Sequence, residues 1–209
     1  MNLEAAMRIS HWIADWAVSP FAVHDGAPWE ATRDAEMLIG AALSRLDADY
    51  EIVDGVARHR SAIVELGAIV KAPALLGPNA FVASGSYLRG GVFLDHDCIV
   101  GPQCELKSTF MLAGSKVAHL SFVGDSILGS RANIEAGAMV ANYRNELENK
   151  RIRILYDGVV VDTGVDKFGA LIGDDARIGA NAVIAPGALI ACRERVARLS
   201  LVDQYPHAS

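Results

Sequence analysis

Long apolar runs, an excess of basic residues and a large set of cysteines are all missing from this chain of 209 residues. No stretch approaches the ~18 apolar residues that a membrane-spanning helix needs, so we expect no membrane span. The formal net charge of −6 argues against a nucleic-acid surface, because phosphate backbones require clustered Lys and Arg. Three cysteines are too few for a disulfide framework, and we expect them to be reduced.

The first residues also lack the layout of a secretory signal peptide, since Glu4, His11 and Asp15 interrupt any apolar stretch there. With the low cysteine count, this predicts a reducing, cytoplasmic setting. Hydrophobic residues make up 52% of the chain and charged residues 21%, which argues against a disordered protein and allows a substantial core. One domain with a small appendage fits the length.

What the chain does have is a six-residue recurrence of aliphatic residues. This period matches neither a helix nor a single strand, and it is typical of a parallel β-helix built from hexapeptides. Side chains four residues after the aliphatic positions are small or modest, including Cys98 and Cys104, so we expect both sets to face inward. The aliphatic positions are Leu76, Val82, Leu88, Leu94, Val100, Leu106, Leu112, Val123, Leu128, Ile134 and Val140.

The period slips on either side of His119. The step from Leu112 to Val117 is five residues, and so is the step from Val123 to Leu128. Functional sites are where local sequence rules are most often broken. We therefore hypothesise that the slips re-aim side chains around His119.

The remaining segments break the repeat and define the predicted domains. Apolar stripes predict helices over 4–18 and 32–46, within an N-terminal helical segment at 1–59. The β-helix is expected over 60–198, with an inserted β-hairpin at about 144–167 whose turn is Asp157-Gly158, and a tail at 199–209. Arginines near 193–198 form either a solvated cap or a basic ligand site. The expected fold class is thus mainly β.

The run at 116–125 (KVAHLSFVGD) resembles a segment in the acetyltransferase half of bifunctional uridyltransferase/glucosamine-1-phosphate acetyltransferases and their archaeal sugar-1-phosphate nucleotidylyltransferase relatives. Five further polar positions agree in kind with that family, two of them upstream of His119 at the family's spacing. The resemblance covers roughly 60–190. The matching positions are Arg89, Lys107, Asn133, the pair Asn142-Tyr143, and Lys167 ahead of the Ile-Gly-Asp-Asp turn at 172–175.

This resemblance implies a left-handed β-helix that forms a homotrimer and transfers an acetyl group from acetyl-CoA to an amino-sugar phosphate such as glucosamine-1-phosphate. It implies His119 as the general base, because histidine titrates near pH ~6.5 and accepts a proton at neutral pH. Arg89, Lys107 and Lys167 would hold the acceptor's phosphate. Asn133 and Tyr143 would contact the sugar, while Asn142 and Ala180 would bind the acetyl donor.

Other interpretations stay open at this point. His119 could satisfy a backbone group, Arg89 and Lys107 could be solvated charges, and Asn133 could belong to a structural ladder. No metal site is expected, because a zinc site using His96 and His119 would lack its third ligand at Gly124.

The sequence also departs from the family pattern. The family's tyrosine is Phe122, a glycine is Glu135 and a serine is Ala180. The Gly-x-Gly-Thr-Arg motif of the uridyltransferase half does not occur. A non-catalytic protein for oligomerisation or sugar-nucleotide binding is therefore the alternative.

Overall fold

A computed structural model describes residues 7–205 of the chain. The fold is dominated by short strands that recur at nearly constant spacing. In chain order the strands are β1 (Tyr50–Val53), β2 (Val56–His59), β3 (Ile63–Val64), β4 (Ile69–Val70), β5 (Ala74–Leu76), β6 (Phe81–Val82), β7 (Tyr87–Leu94), β8 (Ile99–Val100), β9 (Glu105–Met111), β10 (Lys116–Val117), β11 (Phe122–Gly124), β12 (Ile127–Leu128), β13 (Asn133–Ile134), β14 (Met139–Val140), β15 (Arg153–Tyr156), β16 (Val159–Asp162), β17 (Ala170–Ile172), β18 (Arg177–Ile178), β19 (Val183–Ile184), β20 (Ala188–Ile190), β21 (Arg195–Val196) and β22 (Leu201–Val202).

Parallel pairing stacks these strands into three ladders, which we call faces 1, 2 and 3. Face 1 contains β3, β6, β8, β10, β13, β18 and β21. Face 2 contains β4, β11, β14, β19 and β22 with the first halves of β7 and β9, whose second halves join face 3 with β2, β5, β12, β17 and β20. The result is a left-handed parallel β-helix of hexapeptide repeats, which confirms the predicted fold class.

The interior of the coil is a single column of small and aliphatic side chains. Val82, Val100, Val117 and Ile134 stack at successive rungs of face 1, and each is fully buried. Cys98 and Cys104 lie in the same column, as predicted. Burial raises the pKa of the Cys98 thiol to about 12, so this thiol is protonated and inert at neutral pH.

The chain turns between faces at three corners, where the backbone adopts positive φ. Corner A joins face 3 to face 1, corner B joins face 1 to face 2, and corner C joins face 2 to face 3. Asparagine and aspartate tolerate this conformation better than most residues, which is why they recur there. Corner A includes Asn79, Asp97, Gly114, Arg131, Asp175 and Arg193; corner B includes Gly85, Gln103, Leu120, Gly137, Asn181 and Leu199; corner C includes Gly90, Gly91, Ser108, Asp125 and Gly187.

The slips in the hexad period fall at corner C and not beside His119, so that part of the hypothesis is wrong. Met111, and not Leu112, points into the coil interior, and Leu112 packs on the outside of face 3. The short steps are therefore Leu106 to Met111 and Val123 to Leu128. Each of these short steps crosses corner C. Strand β7 has one extra residue there, between Arg89 and Val92, and the next coils lack it.

Within residues 7–59, the N-terminal segment contains three short helices and two 3₁₀ turns. The helices are α1 (Ile9–Trp12), α2 (Pro28–Arg33) and α3 (Ala35–Leu43), and the 3₁₀ turns are Ala14–Val18 and Ala22–His24.

The continuous helix expected over 4–18 does not form across its described part, because Ile13 is extended at φ −136°; Glu4 lies outside the described residues. The Asp174 carboxylate accepts the Ala14 N–H at 3.0 Å, and the Trp12 carbonyl accepts bonds from Asp174 and Cys192. These bonds to the coil replace helical ones. The predicted stripe still packs, since Ile9, Ile13 and Trp16 are fully buried.

Aromatic side chains attach this segment to face 3. The Trp16 ring lies 5.5 Å from that of Phe110, and the Phe21 ring lies 5.0 Å from those of Phe93 and Phe110. Edge-to-face contacts at these distances stabilise beyond the area they bury. Face 3 is therefore covered by the chain itself.

The predicted insertion leaves the coil after β14 and returns at β17, and its β15–β16 hairpin turns at Asp157-Gly158 as expected. Arg144 anchors its beginning, because the buried guanidinium binds Asp203 at 2.6 Å and the Pro186 carbonyl at 3.0 Å. The ladders extend slightly beyond the predicted range, from β2 to β22. No helix within residues 7–205 is long and apolar enough to cross a bilayer.

Gly91 and Gly40 give a matched test of how α3 packs on corner C. A Cβ on Gly91 would lie 2.7 Å from the Glu36 nitrogen, and φ there is +84°, whereas a Cβ on Gly40 meets nothing within 4 Å. We expect Gly91→Ala to lower the free energy of unfolding by about 2–3 kcal/mol and Gly40→Ala to raise it by about 0.5–1 kcal/mol. Urea denaturation measures both, and equal effects of the two substitutions would contradict this packing.

Candidate active site

Corner C brings three charged residues together on successive coils. Arg89 pairs in register with Lys107, and Lys107 pairs with Gly124, the residue before Asp125. The parallel ladder therefore places them one above another at the ~4.8 Å spacing of neighbouring strands. This geometry explains the recurrence of Arg89 and Lys107 eighteen residues apart in the sequence.

Each of the two cations is engaged by a carboxylate. Arg89 binds Glu105 at 2.7 Å, and both side chains are about one-third exposed. The Lys107 ammonium donates to both carboxylate oxygens of Asp125 at 2.8 Å, and the Asp125 side chain is only 6% exposed. The Asn142 amide also donates to Asp125. Asp125 is therefore the residue that fixes both Lys107 and Asn142.

The two ends of the insertion meet at this corner. The Asn142 carbonyl accepts the Phe168 N–H at 3.1 Å, and the Gly169 N–H donates to the Asp125 carbonyl at 2.8 Å. The Phe168 ring is buried against Trp29 of α2, with ring centroids 5.9 Å apart. These contacts hold Lys167, which precedes Phe168, at the rim of the corner.

A cavity of about 600 Å³ lies in front of this corner, lined among others by Arg33, Arg89, Lys107, Asp125 and Lys167. It thus brings together the three cations that the sequence predicted as a group. Arg33 is held bidentately by Asp34, whereas Lys167 is exposed and forms no ion pair with a described residue. An anionic group could contact Lys167 directly and compete for Arg89 and Lys107.

Two aromatic residues lie close to Asn142, one following it in sequence and one near its side chain. Tyr143 is exposed, and the Lys150 ammonium lies 5.5 Å from its ring. The Phe122 ring is directed towards corner C, because a Cβ on Gly124 would lie 2.8 Å from the Phe122 Cζ and 2.7 Å from the Asn142 amide nitrogen. The para position of Phe122 is therefore close to Asn142.

His119 lies at corner B and does not join this cluster within one chain. Its residue is exposed, and its imidazole makes no hydrogen bond with a described residue. His119 precedes β11 and Asp125 follows it, and six residues of extended chain span on the order of 20 Å. A proton cannot pass directly between a ligand at corner C and His119 of the same chain.

The other predicted residues also lie away from corner C. Asn133 is on the outer side of face 1, and Ala180 stands at corner B in the same column as His119. The Ala180 N–H donates to the Glu135 carboxylate at 2.8 Å, and Arg198 binds that carboxylate bidentately at 2.7 and 2.8 Å. Arg198 holds the pKa of Glu135 below its usual range, so the carboxylate is charged at neutral pH.

Comparisons with known proteins agree with this architecture. Residues 70–166 match the family model for the GMPPB C-terminal domain. A "Bifunctional sugar-1-phosphate nucleotidylyltransferase/acetyltransferase" from Sulfurisphaera tokodaii is 36% identical over 57% of this chain and 28% of its own length. A "Bifunctional protein GlmU" from Methanococcus vannielii is 33% identical over 60% of this chain and 30% of its own, and that of Methanococcus maripaludis is 26% identical over 85% and 44%.

The β-helix of this chain is thus similar in sequence to the GMPPB C-terminal domain and to these bifunctional proteins. This hexapeptide-repeat protein spans less than half the length of these curated relatives.

Sequence reasoning missed two features of these corners. Asp125 was recognised only as the end of the 116–125 run, although its burial makes it the centre of corner C. The Glu135–Arg198 pair joins residues 63 positions apart, which no local pattern predicts. Only the departure from the family glycine at Glu135 pointed to that position.

The buried pair at corner C can be measured against an exposed pair of the same kind. Asp125 and Asp175 both have positive φ, and Asp175 binds Arg131 bidentately at 2.8 and 2.9 Å on the surface. In double-mutant cycles with Asp→Asn and Lys or Arg→Met, we expect about 2–3 kcal/mol of coupling for Lys107–Asp125 and less than about 1 kcal/mol for Arg131–Asp175. Urea denaturation gives both values, and equal coupling would contradict the central role of Asp125.

Proposed function

We propose that this protein is an acetyl-CoA-dependent N-acetyltransferase that acts on an amino-sugar phosphate such as glucosamine-1-phosphate. The observation that carries the proposal is the gathering of Arg89, Lys107 and Lys167 around one cavity. The relatives named above include a sugar-1-phosphate nucleotidylyltransferase/acetyltransferase, which supports a phosphate-bearing sugar as the acceptor.

The acceptor's phosphate would bind at corner C. Lys167 offers an ammonium that forms no ion pair with any residue from 7 to 205, while Arg89 and Lys107 would share their charge between the phosphate and their present carboxylate partners. Charge-assisted hydrogen bonds to phosphate are stronger than neutral ones, so three such donors can orient the sugar. Tyr143 would contact the sugar itself, whereas Asn133, which lies on face 1, could do so only from a neighbouring copy of the chain.

The general base would come from a second copy of the chain. His119 has a solvent-facing imidazole with no bond to a described residue, which is the state needed to accept a proton from the acceptor's amine. Because corner B and corner C of one chain lie on the order of 20 Å apart, one chain alone does not complete the site. We therefore propose a cyclic homotrimer in which corner B of one protomer faces corner C of its neighbour.

The acetyl donor would lie beside Asn142 and Ala180. His119 would remove a proton from the amine as the amine nitrogen attacks the thioester carbonyl, and the Asn142 amide would stabilise the oxyanion that develops there. Collapse of that intermediate releases the coenzyme A thiol and leaves the amide product. The Ala180 N–H can form a hydrogen bond with the acetyl donor only if the Glu135 carboxylate moves away.

The hydrogen bond from the Ala180 N–H to the Glu135 carboxylate favours one alternative function. If Glu135 and Arg198 stay in place, the donor site remains blocked, and the protein is a non-catalytic module for oligomerisation or sugar-nucleotide binding. The missing hydroxyls at Phe122 and Ala180 point in the same direction. Thiol release from acetyl-CoA with glucosamine-1-phosphate separates the two functions.

Subunit complementation tests the proposed site. We expect His119→Ala to lower turnover by about 10²- to 10⁴-fold. We expect Arg89→Gln to lower turnover by about tenfold or more. In trimers mixed from equal amounts of the two variants, about one site in four would combine an intact His119 with an intact Arg89.

Co-expressed variants should therefore recover about a quarter of the parent activity, measured by thiol release. Mixing either variant with itself is the control. If the mixed full-length trimers regain no activity, His119 and Arg89 belong to a site within one chain. That result would overturn the proposed site between two chains.

A further inference from the structure

Face 1 changes its chemistry along the coil. Because side chains alternate between the two sides of a strand, the residue before each buried Val or Ile faces outward. The first three outward residues are apolar and the next four are polar or cationic, in a chain whose net charge is −6. In order they are Ile63, Phe81, Ile99, Lys116, Asn133, Arg177 and Arg195.

Arg177 and Arg195 are direct neighbours in this row. They pair in register on adjacent strands, about 4.8 Å apart, and like charges placed directly opposite each other are destabilising. Neither forms an ion pair with a residue in the described range 7–205.

The carboxylates nearby are committed elsewhere. Glu135 binds Arg198, Asp175 binds Arg131, and Glu194 accepts the Ala191 N–H at 2.8 Å. Within residues 7–205, Arg177 and Arg195 therefore have no carboxylate hydrogen-bonded to either guanidinium, and the nearest, Asp175, is held by Arg131.

Backbone carbonyls orient both guanidinium groups. The Arg195 Nη1 donates to the carbonyls of Asp175 and Arg193 at 2.8 Å, and the Arg177 Nη1 donates to the carbonyl of Arg131. The Nε and Nη2 donors of both side chains make no hydrogen bond with a described residue. Each arginine thus keeps a free fork of donors, the geometry that binds a phosphate bidentately.

A cavity of about 300 Å³ lies beside these two side chains, bounded among others by Asn133, Glu135, Arg177, Arg195 and Arg198. We propose that Arg177 and Arg195 form a binding site for a diphosphate ester, with one phosphate on each rung of the ladder. Two linked phosphates match two cations one strand apart, and their charge offsets the repulsion between the arginines. The proposal depends only on face 1 and not on acetyl transfer.

Titration calorimetry at low salt tests the site with inorganic pyrophosphate as the probe. We expect binding that weakens as salt is raised, and a loss of about tenfold or more in affinity for Arg177→Gln and for Arg195→Gln. Arg45→Gln removes one exposed arginine elsewhere and should leave affinity unchanged. No binding, or equal affinity in all three variants, would overturn the proposal.

Two further ligands distinguish the source of the diphosphate. UDP represents a nucleotide of the kind joined to sugars, and coenzyme A represents the donor; each should compete with pyrophosphate, and the tighter one identifies the class. Failure of both to compete would overturn a diphosphate ester as the ligand. Because these experiments measure binding, their outcome does not depend on whether the protein catalyses acetyl transfer.

Thermal unfolding separates binding from a structural role. Without an anion at low salt, Arg195→Gln removes both the like-charge contact and the Nη1 hydrogen bonds to the carbonyls of Asp175 and Arg193, so we expect its melting temperature to lie within about 1–2 °C of the parent's. Pyrophosphate should then raise the melting temperature of the parent but not of the variant. A variant that melts lower than the parent yet responds equally to pyrophosphate would contradict the site.

Discussion

The stacking of side chains inside the coils is the interaction on which the rest of the molecule depends. A single coil has too few inward residues to form a core, and stability comes from each coil burying the next. The inward positions are occupied by residues such as Val82, Leu106 and Ile134, all fully buried. Every other side chain must then lie outside the column, where it needs another partner or meets solvent.

The outward side chains of faces 2 and 3 differ in whether the chain itself covers them. Face 3 carries Phe93, Phe110 and Leu171 outward, and the N-terminal segment covers them with Trp16 and Phe21. Face 2 keeps exposed apolar residues such as Ile69, Met139 and Leu201, and within residues 7–205 nothing covers them. An uncovered apolar row of this kind marks an interaction surface.

Corner C is the place where the regular coil is interrupted and charged side chains come together. The one-residue shortening after Gly91 brings Lys107 and Asp125 to one point, and the insertion returns over them through Phe168 and Gly169. Burial of Asp125 makes its bond with Lys107 stronger than a surface pair, since water screens it less. The same burial ties Asn142 to the corner, so one carboxylate positions a cation and an amide together.

Much of this could be predicted from the sequence, because a six-residue period and the Asp-Gly hairpin are local signals. The grouping of Arg89 and Lys107 also followed, since residues one coil apart are neighbours. The continuous helix predicted over 4–18 does not form across its described part, because bonds to the coil replace helical ones, including the bond from the Ala14 N–H to Asp174, 160 residues away. The separation of His119 from corner C was missed, although six residues separate it from Asp125 and six residues are the length of one face of the coil.

The proposed active site requires corner B of one chain to meet corner C of another. Sedimentation equilibrium at micromolar concentration tests it most directly, because a site shared between chains requires a stable assembly. We expect three copies of the 22.2 kDa chain, a mass of about 67 kDa. A mass of 22.2 kDa under those conditions would contradict it.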